Sequence, residues 1–299
     1  MTDQAPVPDA ERFVRSGVFD IAVYEYGEPA NPTIVLVHGW PDDHHLWDRV
    51  IPLLADRFHV VAYDTRGHGR SSRVDRTEDY QLERFAADFY AVADAVSPDA
   101  PVHVLAHDWG SVQVWEAVCE PEATARVASF TSVSGPNIDH LGLWVRDRLG
   151  RGKWWGPLSQ LLSSSYILIF LAPITSRIVL RPLSRESVWK PFMAWMNGTA
   201  QENVTLGPRF HDDFFDGLRI YRANVLRRLS HPRERTSEVP VQLILARRDM
   251  AVRPAIYADE EAWTEQLRRR EVVAGHWVPF SHPQLLATAT AEMIETVSR

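Results

Sequence analysis

Apolar and polar positions alternate in blocks along this 299-residue chain, and the period of the alternation changes from block to block. Residues 13–26 hold two short stretches of strict alternation broken near Gly17, which predicts an antiparallel hairpin at a sheet edge. Thr33–Val37 is apolar without interruption, the mark of a strand covered on both faces. A three-to-four spacing through Leu46, Val50, Leu53 and Leu54 predicts a helix, and residues 60–63 a second buried strand. Residues 81–96 are amphipathic with helical period and lead into the β-branched run 102–104. Another helix-like stretch, through Val112, Val114, Trp115 and Val118, precedes a strand at Val127–Val133.

Strands that alternate with helices predict a largely parallel sheet flanked by helices, an α/β class. The regularity then stops. Residues 136–229 are helix-like, with Trp144, Trp154, Trp155, Trp189 and Trp195, several prolines and no convincing strand. Regularity returns with a strand at Val241–Ala246, an expected helix over 255–267, a short expected strand at 271–273 and a last helix at Pro283–Val297. The expected organisation is a core of residues 1–135 and 230–299 with a helical lid, or cap, of residues 136–229 inserted between its parts.

Composition narrows the setting. Apolar residues make up 45% of the chain and charged residues 24%, ordinary values for a globular protein. A net charge of -7 argues against nucleic acid or an anionic membrane as partner. The most apolar run, residues 166–174, is too short to span a bilayer, so no integral membrane association is expected. Residues 1–15 lack the apolar centre of a secretory signal, and the single cysteine, Cys119, suits packing in a reducing cytoplasm. Two glycosylation-like triplets, Asn197-Gly198-Thr199 and Asn203-Val204-Thr205, are therefore read as chance. No glycine-rich phosphate loop or metal-spaced histidine–carboxylate cluster is visible, so neither cofactor nor metal is expected; a homo-oligomer is compatible with all of this.

The chemistry concentrates at Leu105-Ala106-His107-Asp108-Trp109-Gly110-Ser111, where a strand meets a helix. Ala106 and Gly110 flank Asp108 at two positions on either side, the small-x-nucleophile-x-small pattern of a strained nucleophile elbow. An attacking serine would leave an ether at a saturated carbon, whereas an attacking carboxylate leaves an ester that water can cleave. Asp108 therefore points to substitution at sp3 carbon; the bland alternative is an aspartate that caps the following helix.

Two partners stand where such a nucleophile needs them. Asp249 follows the strand ending at Ala246, and His276 follows the strand at 271–273 within Gly275-His276-Trp277. His276 is expected to be the base and Asp249 the group that orients its ring. Of the competing histidines, His282 is expected to cap the last helix, and His107 to point away from Asp108. The loop of residues 64–72 reads as a tight turn fixed by pairing of Asp64 with its arginines.

Through His38-Gly39-Trp40-Pro41, His107-Asp108-Trp109-Gly110, Asp249 and Gly275-His276-Trp277, the chain resembles the α/β-hydrolase fold family and, within it, the epoxide hydrolases. The likeness runs over nearly the whole chain. It is greatest to the hydrolase part of actinobacterial proteins in which such a domain precedes a short-chain dehydrogenase domain; the sequence stops after that part, so no dehydrogenase activity is expected.

The resemblance implies further roles. Tyr166, in Tyr-x-x-x-Phe, and Tyr221, before arginine, would bind the epoxide oxygen, and the backbone N–H groups of Trp40 and Trp109 would form an oxyanion hole. His38, Trp40, Tyr166 and Tyr221 would line the substrate pocket. The expected reaction turns a lipophilic epoxide and water into a vicinal diol through an Asp108 ester, which water activated by His276 and Asp249 hydrolyses. A haloalkane dehalogenase would share the Asp-Trp elbow but cradle its halide with asparagine or a second tryptophan, and Trp40 stands where many of them carry that asparagine. A ligand-binding homologue without turnover is the remaining alternative, and it would have no need for a base and its orienting acid.

Overall fold

A computed structural model describes residues 5–298. The first four positions of the segment read above as lacking a signal lie outside the described residues. Its strands are β1 (Ala10–Ser16), β2 (Phe19–Tyr26), β3 (Thr33–Val37), β4 (His59–Tyr63), β5 (Val102–His107), β6 (Val127–Val133), β7 (Val241–Ala246) and β8 (Leu267–Val272). They form one sheet in the order β1-β2-β4-β3-β5-β6-β7-β8, antiparallel from β1 to β4 and parallel thereafter. The hairpin expected at residues 13–26 is β1 and β2, turned at Gly17 with a positive φ of 59° and set at the sheet edge.

The unbroken apolar runs are explained by two cores, one on each sheet face. From β3, Ile34 and Leu36 join a cluster with Leu105, Trp109 and Trp277, while Val35 and Val37 join another with Val104, Trp115 and Phe130. Successive side chains of a strand point to opposite faces, so a strand covered on both sides must be apolar throughout. Helices α1 (Leu82–Val96) and α2 (Trp109–Val118) connect the early parallel strands. Between β6 and β7 the regular structure of the described residues is helical: α3 (Ile138–Gly150), α4 (Trp155–Ser163), α5 (Ile167–Leu171), α6 (Pro173–Val179), α7 (Glu186–Asn197), α8 (Phe210–Asp216) and α9 (Leu218–Ser230). Short α10 (Val278–Ser281) and long α11 (Pro283–Val297) close the chain.

Three local expectations are corrected. The helix through Leu46, Val50 and Leu54 is two 3-10 turns, His44–Trp47 and Ile51–Leu53, because Pro52 lacks the N–H that a continuing α-helix needs. The helix expected over 255–267 is absent: the segment makes 3-10 turns at Pro254–Tyr257 and Glu260–Ala262, and tertiary partners then take it over. Trp263 stacks on His140 with ring centroids 5.2 Å apart, and Thr264 bridges to Ser237. The strand expected at 271–273 is Leu267–Val272, hidden in the sequence by Arg268, Arg269, Arg270 and Glu271. Charged side chains of this kind protect an edge strand from pairing with other chains.

Candidate active site

β5 delivers the chain to Asp108, whose backbone turns sharply (φ 51°, ψ -127°) before α2 begins at Trp109. This positive φ is costly for a residue with a Cβ and is tolerated only where the surroundings enforce it. Space enforces the neighbours: a Cβ on Gly110 would run into the carbonyls of Val37 and His38, and one on Gly39 would sit 2.5 Å from the Asp108 carboxylate. Asp108 makes no side-chain capping bond to α2, so the capping alternative does not describe it. Its Oδ2 instead accepts the backbone N–H of Trp40 at 2.9 Å, and a Cβ on Gly39 would lie 2.5 Å from this oxygen and 2.6 Å from the Trp109 nitrogen.

The other oxygen faces a histidine. His276 Nε2 lies 3.4 Å from Asp108 Oδ1, and its Nδ1 donates to Asp249 Oδ2 at 2.8 Å. Asp249 is held in turn, since its Oδ1 accepts the N–H groups of Ala251 and Val252, both at 2.8 Å. Burial works to raise the Asp249 pKa, but the His276 charge and these bonds outweigh it and hold the carboxyl below its ordinary range. Burial works to lower that of His276; the charges of Asp249 and Asp108 and the bonds to both prevail, and the imidazolium persists to about pH 10.

This has a consequence for stability. The folded-state pKa of His276 exceeds the value of about 6.5 expected in an unfolded chain. Its contribution is therefore complete below about pH 6.5 and is lost as pH rises toward about 10. Thermal unfolding should show a Tm that falls across this window, with a shallower fall for His276→Gln. Equal slopes would mean that the ion pair does not form.

Two phenols lie within reach of the Asp108 charge. Tyr221, on α9, is buried against Trp109 and Phe170, with ring centroids at 4.8 and 5.0 Å. Tyr166, just before α5, also packs on Phe170, with ring centroids 5.1 Å apart, and is half-buried. Burial, and then the charge of Asp108, push both hydroxyls above the ordinary phenol range, so both are protonated donors at neutral pH.

His38 does not line the pocket as expected. It is fully buried; its Nδ1 donates to the Gly39 carbonyl and its Nε2 accepts the Thr65 N–H, both at 2.9 Å, so it shapes the loop that presents the Trp40 N–H. Trp40 packs against Phe170 and Phe214 at 4.9 and 4.8 Å, and its indole N–H is committed to the Phe214 carbonyl at 2.8 Å. His107 Nε2 donates to the backbone carbonyl of His276 at 3.0 Å, which supports the base from behind. His282 does not cap α11 through its side chain; its Nδ1 pairs with the Ser281 hydroxyl at 2.9 Å.

Three supports of the site were not legible. Asn197, dismissed above as part of a chance triplet, accepts the Trp277 N–H at 2.9 Å and so ties α7 to the His276 loop. Asp42 accepts the Trp277 indole N–H at 2.8 Å; its place directly after His38-Gly39-Trp40-Pro41 was the available signal. Gln160 on α4 bonds the Ala251 carbonyl and the Arg253 N–H, on either side of the turn that holds Asp249. The Asp64 loop also differs from expectation. Asp64 accepts from Tyr24, from His44 and from the Arg70 backbone N–H, whereas the side chains of Arg66 and Arg70 pair with Asp88 and Glu11. One group among the described residues has donors close enough for a metal, Asp43, His44 and His45, but its histidines are engaged by Asp64 and Asp48, and it lies apart from Asp108 in the contacts of the site.

Comparison with known proteins agrees with this architecture. Residues 32–283 match the profile of a family described as alpha/beta hydrolase fold. A Mycobacterium tuberculosis protein named "Probable oxidoreductase EphD" is 43% identical over 286 residues, covering 92% of this chain but 48% of its own length. This chain thus spans about half the length of that relative. "Epoxide hydrolase A" of the same organism is 41% identical over 130 residues, 43% of this chain and 39% of that protein. Among solved structures, a Bacillus megaterium epoxide hydrolase bound to an inhibitor superposes with a TM-score of 0.76 at 19% identity, covering 95% of this chain and 100% of that one. Potato (Solanum tuberosum) epoxide hydrolase I superposes with a TM-score of 0.72 at 20% identity, covering 96% and 99%. With the profile matched over most of its length and the sheet, elbow and strand-end loops arranged as described, this chain belongs to the α/β-hydrolase fold family.

Proposed function

We propose that this chain is an epoxide hydrolase that forms a covalent ester at Asp108, with residues 136–229 acting as its lid. The observation that carries the reading is what surrounds one carboxylate: a backbone N–H on Oδ2, an oriented histidine on Oδ1, and two protonated phenols whose hydroxyls feel its charge. Opening an epoxide creates an alkoxide, a poor leaving group, and a phenol that stays protonated at neutral pH can hydrogen-bond to it and supply a proton as charge develops. The named relatives that include epoxide hydrolases support the same reading.

The oxygens of Asp108 divide the work. Oδ1 attacks the less hindered epoxide carbon, the C–O bond breaks, and Tyr221 or Tyr166 gives its proton to the leaving oxygen. Asp108 is now a neutral ester, so its share of the charge and bonding that held the His276 proton is gone while that of Asp249 remains; the weakened imidazolium passes that proton through solvent to the phenolate. Neutral His276 then takes a proton from water as the oxygen attacks the ester carbonyl, and the Trp40 and Trp109 N–H groups receive the negative charge on Oδ2. Collapse expels the diol oxygen, which takes the proton from His276. Proton transfer from the regenerated carboxyl back to His276 restores the starting pair.

A dehalogenase is disfavoured by a specific contact: the Trp40 indole N–H, a potential halide donor, is spent on the Phe214 carbonyl. The direct test is diol formation from a panel of lipophilic epoxides, with halide release from small haloalkanes as the competing readout; halide without diol would reassign the enzyme. Tyr221→Phe should lower kcat about tenfold to a hundredfold, and the double Tyr166→Phe, Tyr221→Phe variant by about a thousandfold or more, with Tm nearly unchanged. Undiminished turnover in the double variant would remove the phenols from the reaction.

A further inference from the structure

α4 is built inside out. Its large apolar side chains, Trp154, Trp155, Leu158, Leu161 and Leu162, recur at three- and four-residue spacing and form one stripe, yet they face solvent, Trp155 with 83% of its surface exposed. The inward edge carries no large apolar side chain: beside Pro157, Gln160 is buried and bonds to Ala251 and Arg253, and Ser163 bonds to the Met250 carbonyl. The same inversion recurs on α6, where Ser176 is buried and bonds Arg222 while Ile174 (78% exposed), Ile178 and Val179 stand outward. On α5, between them, Leu168 points out while Phe170 packs inward on Trp40 and Tyr221.

Stripes of this size are not left in water without a use, because each exposed leucine or isoleucine forgoes its transfer free energy. Charge identifies the occupant. Between residues 151 and 190 stand six cations, Arg151, Lys153, Arg177, Arg181, Arg185 and Lys190, against one carboxylate, Glu186, in a chain whose net charge is -7. Among the described residues Lys153, Arg181 and Arg185 enter no ion pair, although the chain as a whole carries an excess of carboxylates. Protein interfaces also use tryptophan and arginine, so it is the local reversal of sign in a chain of net charge -7 that selects the occupant. An anionic bilayer has both complements, acyl chains for the stripe and headgroups for the cations, with tryptophan at the boundary.

We infer that the outer face formed by α4, α5 and α6 is a peripheral docking surface for an anionic phospholipid bilayer. The net charge of the whole chain pointed away from such a partner because it averages over a local reversal of sign. No helix among the described residues is long and apolar enough to cross a membrane, and the proposed contact is an interfacial one. Tyr166 immediately precedes α5, which places this surface over the aromatic wall of the candidate pocket. The inference concerns binding and stands whatever reaction Asp108 performs.

The test is co-sedimentation of the full chain with vesicles of phosphatidylcholine alone and of phosphatidylcholine mixed with phosphatidylglycerol, at low and high salt. The expected result is binding to the mixed vesicles roughly tenfold or more tighter than to phosphatidylcholine, weakened by salt. Leu161→Ser with Ile178→Ser should lower binding to the mixed vesicles by about tenfold or more, and Lys153→Glu with Arg181→Glu should abolish the preference for them, both with the wild-type Tm. Equal recovery of wild-type protein in the supernatant with and without vesicles would overturn the inference. So would a concentration-dependent dimer that Leu161→Ser, Ile178→Ser converts to monomer, since a second copy would then cover the face.

Discussion

Replacement of His276 by alanine should yield a protein that reacts once with an epoxide and then stops, with the substrate retained as a mass increase on the intact chain. Ring opening needs the Asp108 carboxylate and the phenols, none of which is lost. The first step is not slowed, because the imidazolium 3.4 Å from Oδ1 attracts the same electron pair that attacks carbon. Hydrolysis is another matter. A positioned general base contributes about a hundredfold to ten-thousandfold, and no second base stands ready: His107 donates to a backbone carbonyl and burial holds its pKa down at about 4. Turnover should fall by roughly a thousandfold while the adduct accumulates to one per chain. His276→Ala protein with neither adduct nor loss of turnover would show that His276 is not the base.

Why the elbow and its partners were readable while much around them was not comes down to range. The Asp108 turn is local: Ala106 and Gly110 must be small for collisions within a few residues of chain and against the loop after β3, so the pattern is written in consecutive letters. Buried strands were readable for the same reason, because two-face burial demands an unbroken apolar run. β8 was mostly missed, since at the sheet edge neither of its faces is fully covered and arginines can stand at consecutive positions, which breaks the apolar run. Asn197 was misread because its partner, the Trp277 N–H, lies 80 residues away, and no local pattern marks such a bond. His38 was assigned to the pocket from its motif, but a motif gives position and not direction, and both ring nitrogens turned out to hold the loop.

The direction of a helical stripe is the deepest of these gaps. Periodicity shows that α4 has an apolar face, and the usual inference is that the face points inward. Here the inward positions are spent on grasping the turn around Asp249, through Gln160 and Ser163, and the apolar face is left outside. Only a folded chain reveals that preference, because the competing partners belong to the loop after β7.

Replacement of Asp108 itself should abolish both half-reactions, and the choice of replacement separates chemistry from backbone strain. Asp108→Ala and Asp108→Gly both lack the nucleophile, so neither should form an adduct or diol above background. Both lose the bond from the Trp40 N–H and the partner of His276, so those costs cancel when the two are compared with each other. What differs is a Cβ on a backbone held at φ 51°, ψ -127°. A residue strained in this way costs on the order of 1–3 kcal/mol, whereas glycine adopts positive φ freely and gives up roughly 0.5–1 kcal/mol through the larger freedom of its unfolded chain. The glycine variant should therefore be the more stable by about 1 kcal/mol, a Tm difference of roughly one to two degrees in a chain of this size. Strain at the nucleophile is then a cost the fold bears to hold one carboxylate at the tip of the elbow. If the alanine variant proves equally stable, the turn is relaxed and its geometry serves only to aim the side chain; if either variant still forms diol, Asp108 is not the nucleophile.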